Sequence, residues 1–127
     1  MLIYLIGYYF VLIFSIVFKF LNSEYLNVEF LKEYNNYKLF HYNSVDGKFI
    51  FQSILNVISF IPLGFLLLYN IRKSLISVIG ILLTTVCFEI IQLEFGIGVF
   101  DINDIFFNFT GGLIGVFFYF ILSKTKK

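Results

Sequence analysis

Long apolar runs dominate the chain, and polar residues are confined to the stretches between these runs and to a few positions inside them. A bilayer core about 30 Å thick requires roughly 20 helical residues at 1.5 Å each. Four runs reach this length, with predicted bounds of 2–21, 49–69, 74–95 and 102–122. We therefore predict an all-α integral membrane bundle of four transmembrane helices, with short loops and one longer polar outer loop.

The composition favours a membrane protein over a soluble domain. Of the 127 residues only 13% are charged and 60% are hydrophobic, whereas soluble domains carry about 25% charged residues. A chain of this kind could not cover itself with polar groups in water. We expect residues 1–127 to form one multi-pass domain in the cell membrane. The first run lacks an early basic region and a small-residue cleavage site, so we expect it to be retained.

The positions of lysine and arginine in the short connections predict the orientation of the helices. Arg72 and Lys73 lie between the second and third runs, and three lysines follow the fourth run. Both stretches fall on the same side of a four-span bundle, which predicts that the N- and C-termini are cytoplasmic. The 22–48 loop carries three lysines of its own, and these weaken the asymmetry.

Net charge and residue counts exclude several kinds of function. The net charge is +1 and no basic block precedes the C-terminus, so we expect no nucleic-acid partner. The single cysteine, Cys87, excludes an internal disulfide and a cysteine metal cluster, and its apolar neighbours favour a packed thiol. The single histidine, His41, lies in the 22–48 loop, where we expect it to be solvated. In the same loop, Ser23 could cap an amphipathic segment at the membrane surface.

Polar residues inside the runs are predicted to lie at one depth beneath the outer surface. At 1.5 Å per residue, Glu89 lies roughly 9 Å from the outer end of its helix. Asn108 lies roughly 6 to 9 Å from the start of its own helix on the same arithmetic, and Asn56 lies at a comparable depth in the second run. Glu89 and Gln92 are three residues apart and share a helix face.

The fourth helix carries a continuous stripe of polar and small residues. Its members recur at spacings of three and four: Asp101, Asp104, Asn108, Gly111 and Gly115. Gly111 and Gly115 form a small-xxx-small pair, which lets a neighbouring backbone approach. Because the polar and packing positions coincide, we expect this face to point into the bundle. The candidate binding residues are Asn56, Glu89, Gln92, Asp101, Asp104 and Asn108, and the candidate packing residues are Gly64, Gly111 and Gly115.

These polar residues admit a structural interpretation as well as a functional one. Amide side chains often serve as hydrogen-bond partners between helices, and this stays an equal alternative for the three amide residues of the set. An acidic residue at mid-membrane costs about 2.5 to 3.5 kcal/mol and by default marks a functional site. We therefore interpret Glu89, the deepest acid, as the functional centre. It is either protonated at rest or ionised and holding a cation with Asp101 and Asp104.

Three segments of the chain resemble the VanZ-like family of small membrane proteins. They are N-V-I-S-F-I-P-L-G-F-L-L-L (Asn56–Leu68), E-I-I-Q (Glu89–Gln92) and F-D-I-N-D-I-F-F-N-F-T-G-G-L-I-G (Phe100–Gly115). The resemblance implies an envelope membrane protein, in a family whose founding member is linked to low-level teicoplanin resistance. It also implies that the family's polar positions fall on the six candidate binding residues, and its glycines on the three candidate packing residues.

One position departs from the family pattern. Relatives usually carry an arginine three residues before the first aspartate, where this chain has Gly98. A cation that could pair with the aspartates or hold a phosphate is therefore missing at this position. Its loss weakens any phosphate-binding role.

Three classes of function are compatible with these residues. We favour an envelope protein whose outer-leaflet polar pocket binds the headgroup of a membrane lipid or a cell-wall precursor. A second class is an enzyme that acts on a lipid-linked phosphate or ester with a divalent cation, since carboxylates and Asn108 supply the oxygen ligands that Mg²⁺ prefers. A third is a small ion-coupled transporter, which would need a homo-oligomer. No residue pattern specifies a catalytic residue or a metal site.

Overall fold

Four helices make up the part of the chain that the structure describes. This computed structural model describes residues 2–21, 47–94 and 100–124, with side chains in 2–14, 50–94 and 100–124. Within these residues there is no strand, and the helices are α1 (Leu2–Leu21), α2 (Gly47–Ile71), α3 (Ser74–Glu94) and α4 (Ile102–Lys124). The predicted all-α architecture is confirmed, and the predicted bounds agree to within two residues. The hypotheses about the amphipathic segment, His41 and Gly98 fall outside the described residues.

Helices α2, α3 and α4 are long and apolar enough to cross a membrane, over Ile50–Ile71, Ser74–Glu94 and Ile102–Lys124. In α1 the part with described side chains, Leu2–Phe14, is a shorter apolar stretch. Many large apolar side chains point away from the bundle, such as Leu75, which is 72% exposed. Surfaces of this kind would aggregate in water, whereas in a bilayer they contact lipid tails. The chain is therefore a membrane protein.

The most extensive helix pair is α2 with α4, and the two helices run parallel. Gly111 lies against the backbone carbonyl of Val57, and Gly115 lies against that of Ile61 one turn further along. A Cβ atom at either glycine would overlap the facing carbonyl. Glycine is required here because no other residue lets the two backbones approach this closely.

Two further glycines tie three helices together. Gly64 of α2 lies against the backbone of Gly112 in α4, and the other side of Gly112 lies against the side chain of Ile81 in α3. Ile81 is fully buried, as is Leu63 of α2. Gly112 is not among the packing residues that the sequence predicted. Together with the hydrogen bond between Asp101 and Glu89, this contact shows that α3 packs antiparallel to α4, on the part of α4 that α2 also approaches.

Buried hydroxyl groups in α3 are satisfied by backbone carbonyls of their own helix or of the turn just before it. Ser77 and Thr85 are 0% exposed. The Ser77 hydroxyl donates to the carbonyl of Lys73 at 3.0 Å, and the Thr85 hydroxyl donates to the carbonyl of Leu82 at 2.8 Å. Such local bonds let polar residues sit in an apolar bundle without a partner on another helix.

The α2–α3 connection is a two-residue turn made of Arg72 and Lys73. Arg72 adopts a left-handed conformation with φ at 58°. Its N–H donates to the carbonyl of Leu68 at 2.8 Å and so closes the end of α2. A turn this short forces α2 and α3 to be antiparallel neighbours.

Helix α1 is attached to the bundle by two tyrosine hydroxyl groups. Tyr8 donates to the backbone carbonyl of Ser59, and Tyr9 shares a hydrogen bond of 3.0 Å with the Thr84 hydroxyl. Ser59 lies three residues before Pro62, in the turn of α2 whose hydrogen bonding a proline disturbs. The Tyr8 hydroxyl therefore joins α1 to α2 in the turn that precedes Pro62.

Alanine at Gly111 or Gly115 is expected to destabilise the bundle, because the added Cβ overlaps backbone atoms of α2. Overpacking of this kind costs about 1–3 kcal/mol or more. Gly80→Ala is the matched control, since its Cβ would meet only Leu67 at 3.7 Å, and alanine is favoured over glycine in a helix by about 0.5–1 kcal/mol. Thermal unfolding in detergent measures all three variants. Equal stability of Gly111→Ala and Gly80→Ala would contradict this account.

Candidate functional site

Glu89 is the most deeply buried ionisable side chain in the described part of the chain, at 1% exposure. Its Oε2 accepts a hydrogen bond of 2.9 Å from the backbone N–H of Asp101, the residue just before α4. The first N–H groups of a helix lack intrahelical partners and carry a partial positive charge. A carboxylate of α3 therefore stabilises the start of α4, as a capping-box glutamate does within one helix.

Asp101 is the N-cap of α4. Its Oδ1 accepts hydrogen bonds from the backbone N–H of Asn103 at 2.8 Å and from the Asn103 side-chain amide at 3.0 Å. Its carbonyl accepts from the N–H groups of Asp104 at 3.1 Å and Ile105 at 3.3 Å. Aspartate is a preferred N-cap because its side chain satisfies an N–H of the first turn. The Asp101 carboxylate thus has a structural role that explains its position.

A direct side-chain hydrogen bond joins α2 to the first turn of α4. The Asn56 amide donates to Oδ1 of Asp104 at 2.7 Å, and both residues are half-buried. Asp104 lies three residues after Asp101, so its carboxylate also lies near the positive end of α4. Three helices therefore deliver polar groups to one end of the bundle, as the sequence predicted from their depths.

Asn108 lies one turn further into α4 and is 6% exposed. It lies three residues before Gly111, which faces α2, and four residues before Gly112, which faces Ile81 of α3. Helix geometry therefore directs its side chain to the interior between α2 and α3. Its Oδ1 is buried and has no hydrogen-bond partner among the described residues. An unsatisfied buried carbonyl of this kind costs about 1–3 kcal/mol.

Two residues change the composition of the predicted site. Gln92 lies on α3 three residues after Glu89, is half-buried, and makes no side-chain hydrogen bond to the cluster within the described part of the chain. Asn103 was missed from sequence, although it holds the Asp101 carboxylate with two donors. The sequence D-I-N could have indicated this role. It places Asn103 at the second position of a helix whose N-cap is an aspartate.

The carboxylates of the cluster have separate hydrogen-bond partners. No group of three His, Cys, Asp or Glu side chains that could hold a metal ion occurs among the described residues. Glu89 accepts from a backbone N–H, Asp101 accepts from Asn103, and Asp104 accepts from Asn56. A Mg²⁺ ion prefers several oxygen ligands converging in octahedral geometry. The carboxylate oxygens that the metal-dependent enzyme hypothesis requires as ligands therefore each accept a hydrogen bond from a different residue.

A protein-family model matches almost the whole chain. The model described as VanZ/LLP1 matches residues 1–123. The chain belongs to the VanZ/LLP1 family. This match also includes α1, which lies outside the segments that carry the resemblance seen in the sequence.

A curated VanZ relative matches most of the chain. Protein VanZ of Enterococcus faecium is 35% identical over 108 residues, a match that covers 76% of this chain and 66% of the relative. This VanZ/LLP1 chain thus spans just under two thirds of that relative's length. No solved structure matches it.

Asp101→Ala is expected to destabilise the protein by about 1 kcal/mol, because the first turn of α4 loses its side-chain acceptor. Asp101→Asn is the control, since asparagine is an equally good N-cap. Thermal unfolding in detergent compares the two variants with the parent chain. If alanine and asparagine lower stability by the same amount, the role of Asp101 depends on its charge and not on capping.

Proposed function

We infer that this VanZ/LLP1-family protein binds the headgroup of a membrane lipid or a cell-wall precursor in a polar pocket, and thereby contributes to resistance against teicoplanin-type glycopeptides. The observation that carries this proposal is the Glu89 carboxylate, 1% exposed, at the junction of α3 and α4. An acidic residue within a membrane bundle is costly and by default indicates function. Asn56, Asp104 and Asn108 on neighbouring helices support a shared site.

The proposed pocket lies beneath the outer surface of the membrane. The polar cluster is at the end of the bundle formed by the start of α2, the end of α3 and the start of α4. Arg72 and Lys73 in the α2–α3 turn and Lys124 at the end of α4 lie at the opposite end, whereas Lys48 in the first turn of α2 lies at the end of the cluster. Lysine and arginine favour the cytoplasmic side, so the cluster faces outward. With four passes, both termini are cytoplasmic.

Binding is favoured over the two alternative classes. The enzyme hypothesis required a divalent cation, and no group of three His, Cys, Asp or Glu side chains that could hold one occurs among the described residues. The transporter hypothesis required a second copy of the chain, and no observation supports an oligomer. A binding pocket needs only a buried set of oriented polar groups, which the cluster supplies.

Glu89→Gln is expected to abolish the contribution to teicoplanin resistance while the protein still accumulates normally. Glutamine keeps an oxygen that can accept the Asp101 N–H bond but removes the charge and the titrating group. Asp101→Asn is expected to have a smaller effect, since asparagine keeps the cap. Minimum inhibitory concentrations in a deletion strain carrying each variant measure this.

Glu94→Gln is the matched control for Glu89→Gln, because Glu94 lies on the same helix but is exposed. It should leave the phenotype unchanged. If Glu89→Gln also leaves resistance intact at normal protein levels, the carboxylate serves only to hold α4 in place and the proposed function is wrong.

The proposed orientation predicts a specific labelling pattern in intact cells. In a Cys87→Ser background, Asn43→Cys should react with a membrane-impermeant thiol reagent, whereas Lys73→Cys and Thr125→Cys should react only after permeabilisation. These positions sample the loop after α1, the α2–α3 turn and the C-terminal tail. The reverse pattern would move the polar cluster to the inner leaflet and exclude an extracellular headgroup as its ligand.

A further inference from the structure

Three basic side chains form a patch at the end of the bundle opposite the polar cluster. Helices α2 and α4 run parallel, and near their C-terminal ends the Tyr69 and Tyr119 rings are in contact, with centroids 6.1 Å apart. Arg72 follows Tyr69 by three residues, and Lys124 follows Tyr119 by five. At about 1.5 Å per residue, both lie roughly 5 to 8 Å beyond these rings. Lys73, next to Arg72, completes this basic patch.

The basic patch lies at the level of the lipid headgroups. The membrane-spanning part of α2 ends at Ile71, and that of α3 begins at Ser74, so Arg72 and Lys73 occupy the turn just outside the hydrocarbon core. All three side chains of the patch are exposed. Tyr69, one turn deeper, is 37% exposed, as is typical of tyrosines at the boundary between hydrocarbon and headgroups. The patch therefore faces headgroups and not acyl chains.

The basic patch has no acidic partner among the described residues. Arg72, Lys73 and Lys124 make no ion pair and no side-chain hydrogen bond within that part of the chain. The acidic residues at 89–104 lie at the opposite end of the bundle, and the remaining acidic residues precede α2 in the sequence. The positive charge of the patch is thus available to an anion outside the chain.

The backbone at Arg72 supports a role for its side chain. Arg72 has a φ of 58°, in the left-handed region that residues other than glycine rarely adopt. Glycine is the usual residue in this conformation at the end of a helix, because a Cβ atom is disfavoured there. Strained residues are concentrated at functional positions. Since the Arg72 side chain is exposed and has no partner within the described part of the chain, we expect its partner to lie outside the protein.

We propose that Arg72, Lys73 and Lys124 bind the headgroup of an anionic phospholipid in the leaflet at this end of the bundle. Arginine matches a phosphate with two parallel N–H donors, and lysine adds charge without a fixed geometry. Three cations favour a headgroup with net negative charge over a zwitterionic one. The site lies at the opposite end of the bundle from Glu89, so it does not depend on the proposed function.

Binding of phosphatidylglycerol and of phosphatidylcholine with the same acyl chains tests this preference. Each lipid is titrated onto the purified full chain in detergent, and bound lipid is measured by native mass spectrometry. A basic residue near an anionic headgroup raises affinity roughly fivefold, so phosphatidylglycerol should bind at least about tenfold more tightly. The preference should shrink as the ammonium acetate concentration rises, because salt screens exposed charges. Basic residues that serve only to orient the helices during insertion predict equal affinities, and that result would overturn the proposal.

Arg72→Gly separates lipid binding from folding. Glycine relieves the strain of the left-handed conformation, so the variant should unfold in lipid-free detergent at a temperature no lower than the parent chain does. It should nevertheless bind phosphatidylglycerol about fivefold more weakly, with phosphatidylcholine binding unchanged. Full retention of the preference by this variant would overturn the assignment to Arg72.

Lys124→Gln tests the contribution of α4, and Lys48→Gln is its matched control. Lys124 is exposed at the end of α4, so its substitution should leave the fold intact and weaken phosphatidylglycerol binding by a similar factor. Lys48 lies in the first turn of α2, at the other end of the bundle, and its substitution removes the same charge without touching the patch. An equal loss of binding in both variants would show attraction by net charge alone and would overturn the site.

Soluble sn-glycerol 3-phosphate distinguishes a lipid from a free phosphate ester. It carries an anionic phosphate but no acyl chains, and it should not displace phosphatidylglycerol at equal concentration. Displacement would show that the basic patch binds soluble phosphates, and the lipid assignment would be wrong. None of these outcomes changes the prediction for Glu89→Gln, which concerns the other end of the bundle.

Discussion

The close approach of α2 and α4 is the constraint on which the rest of the structure depends. Helices in a bilayer gain no hydrophobic free energy by associating with each other, so packing contacts between them must hold the bundle together. Gly111 and Gly115 remove the side chains that would separate the two backbones, and Gly64 does the same from the α2 side. Because α2 and α4 run parallel, their N-terminal turns lie at the same end. This arrangement allows the hydrogen bond of 2.7 Å between Asn56 and Asp104.

The antiparallel α3 completes the polar end of the bundle. Because the turn at Arg72 and Lys73 is only two residues long, α3 runs back along α2. The last turns of α3 therefore lie beside the first turn of α4. Glu89 then meets the N–H of Asp101, where the helix end carries a partial positive charge. A carboxylate that would be costly elsewhere in the membrane is therefore stabilised by the backbone of a neighbouring helix. The glycines that set the spacing of α2 and α4 thus also contribute to the position of the Glu89 carboxylate.

The sequence predicted the helices, and the end of the bundle at which Asn56, Glu89 and Asp104 lie, because both depend on simple lengths. Apolar runs of membrane thickness marked α1 to α4, and counting residues from the helix ends placed Asn56, Glu89 and Asn108 at one level. The individual partners could not be predicted in this way. The Asp101 side chain can point toward a ligand or toward the first turn of α4, depending on its rotamer. The spacing of residues along the sequence does not determine that rotamer. Gly112 was missed because its partner, Ile81, lies on a helix whose rotation the sequence left open.

The three carboxylates at the polar end have different surroundings, and this difference carries the functional argument. Asp101 is held by Asn103 as the cap of α4, and Asp104 is held by Asn56 across the α2–α4 contact. Glu89 is the one of the three that is almost fully buried, and it joins α3 to α4. The functional argument therefore rests on Glu89, because burying an acid in a membrane bundle costs more than leaving it half-exposed, as Asp101 and Asp104 are.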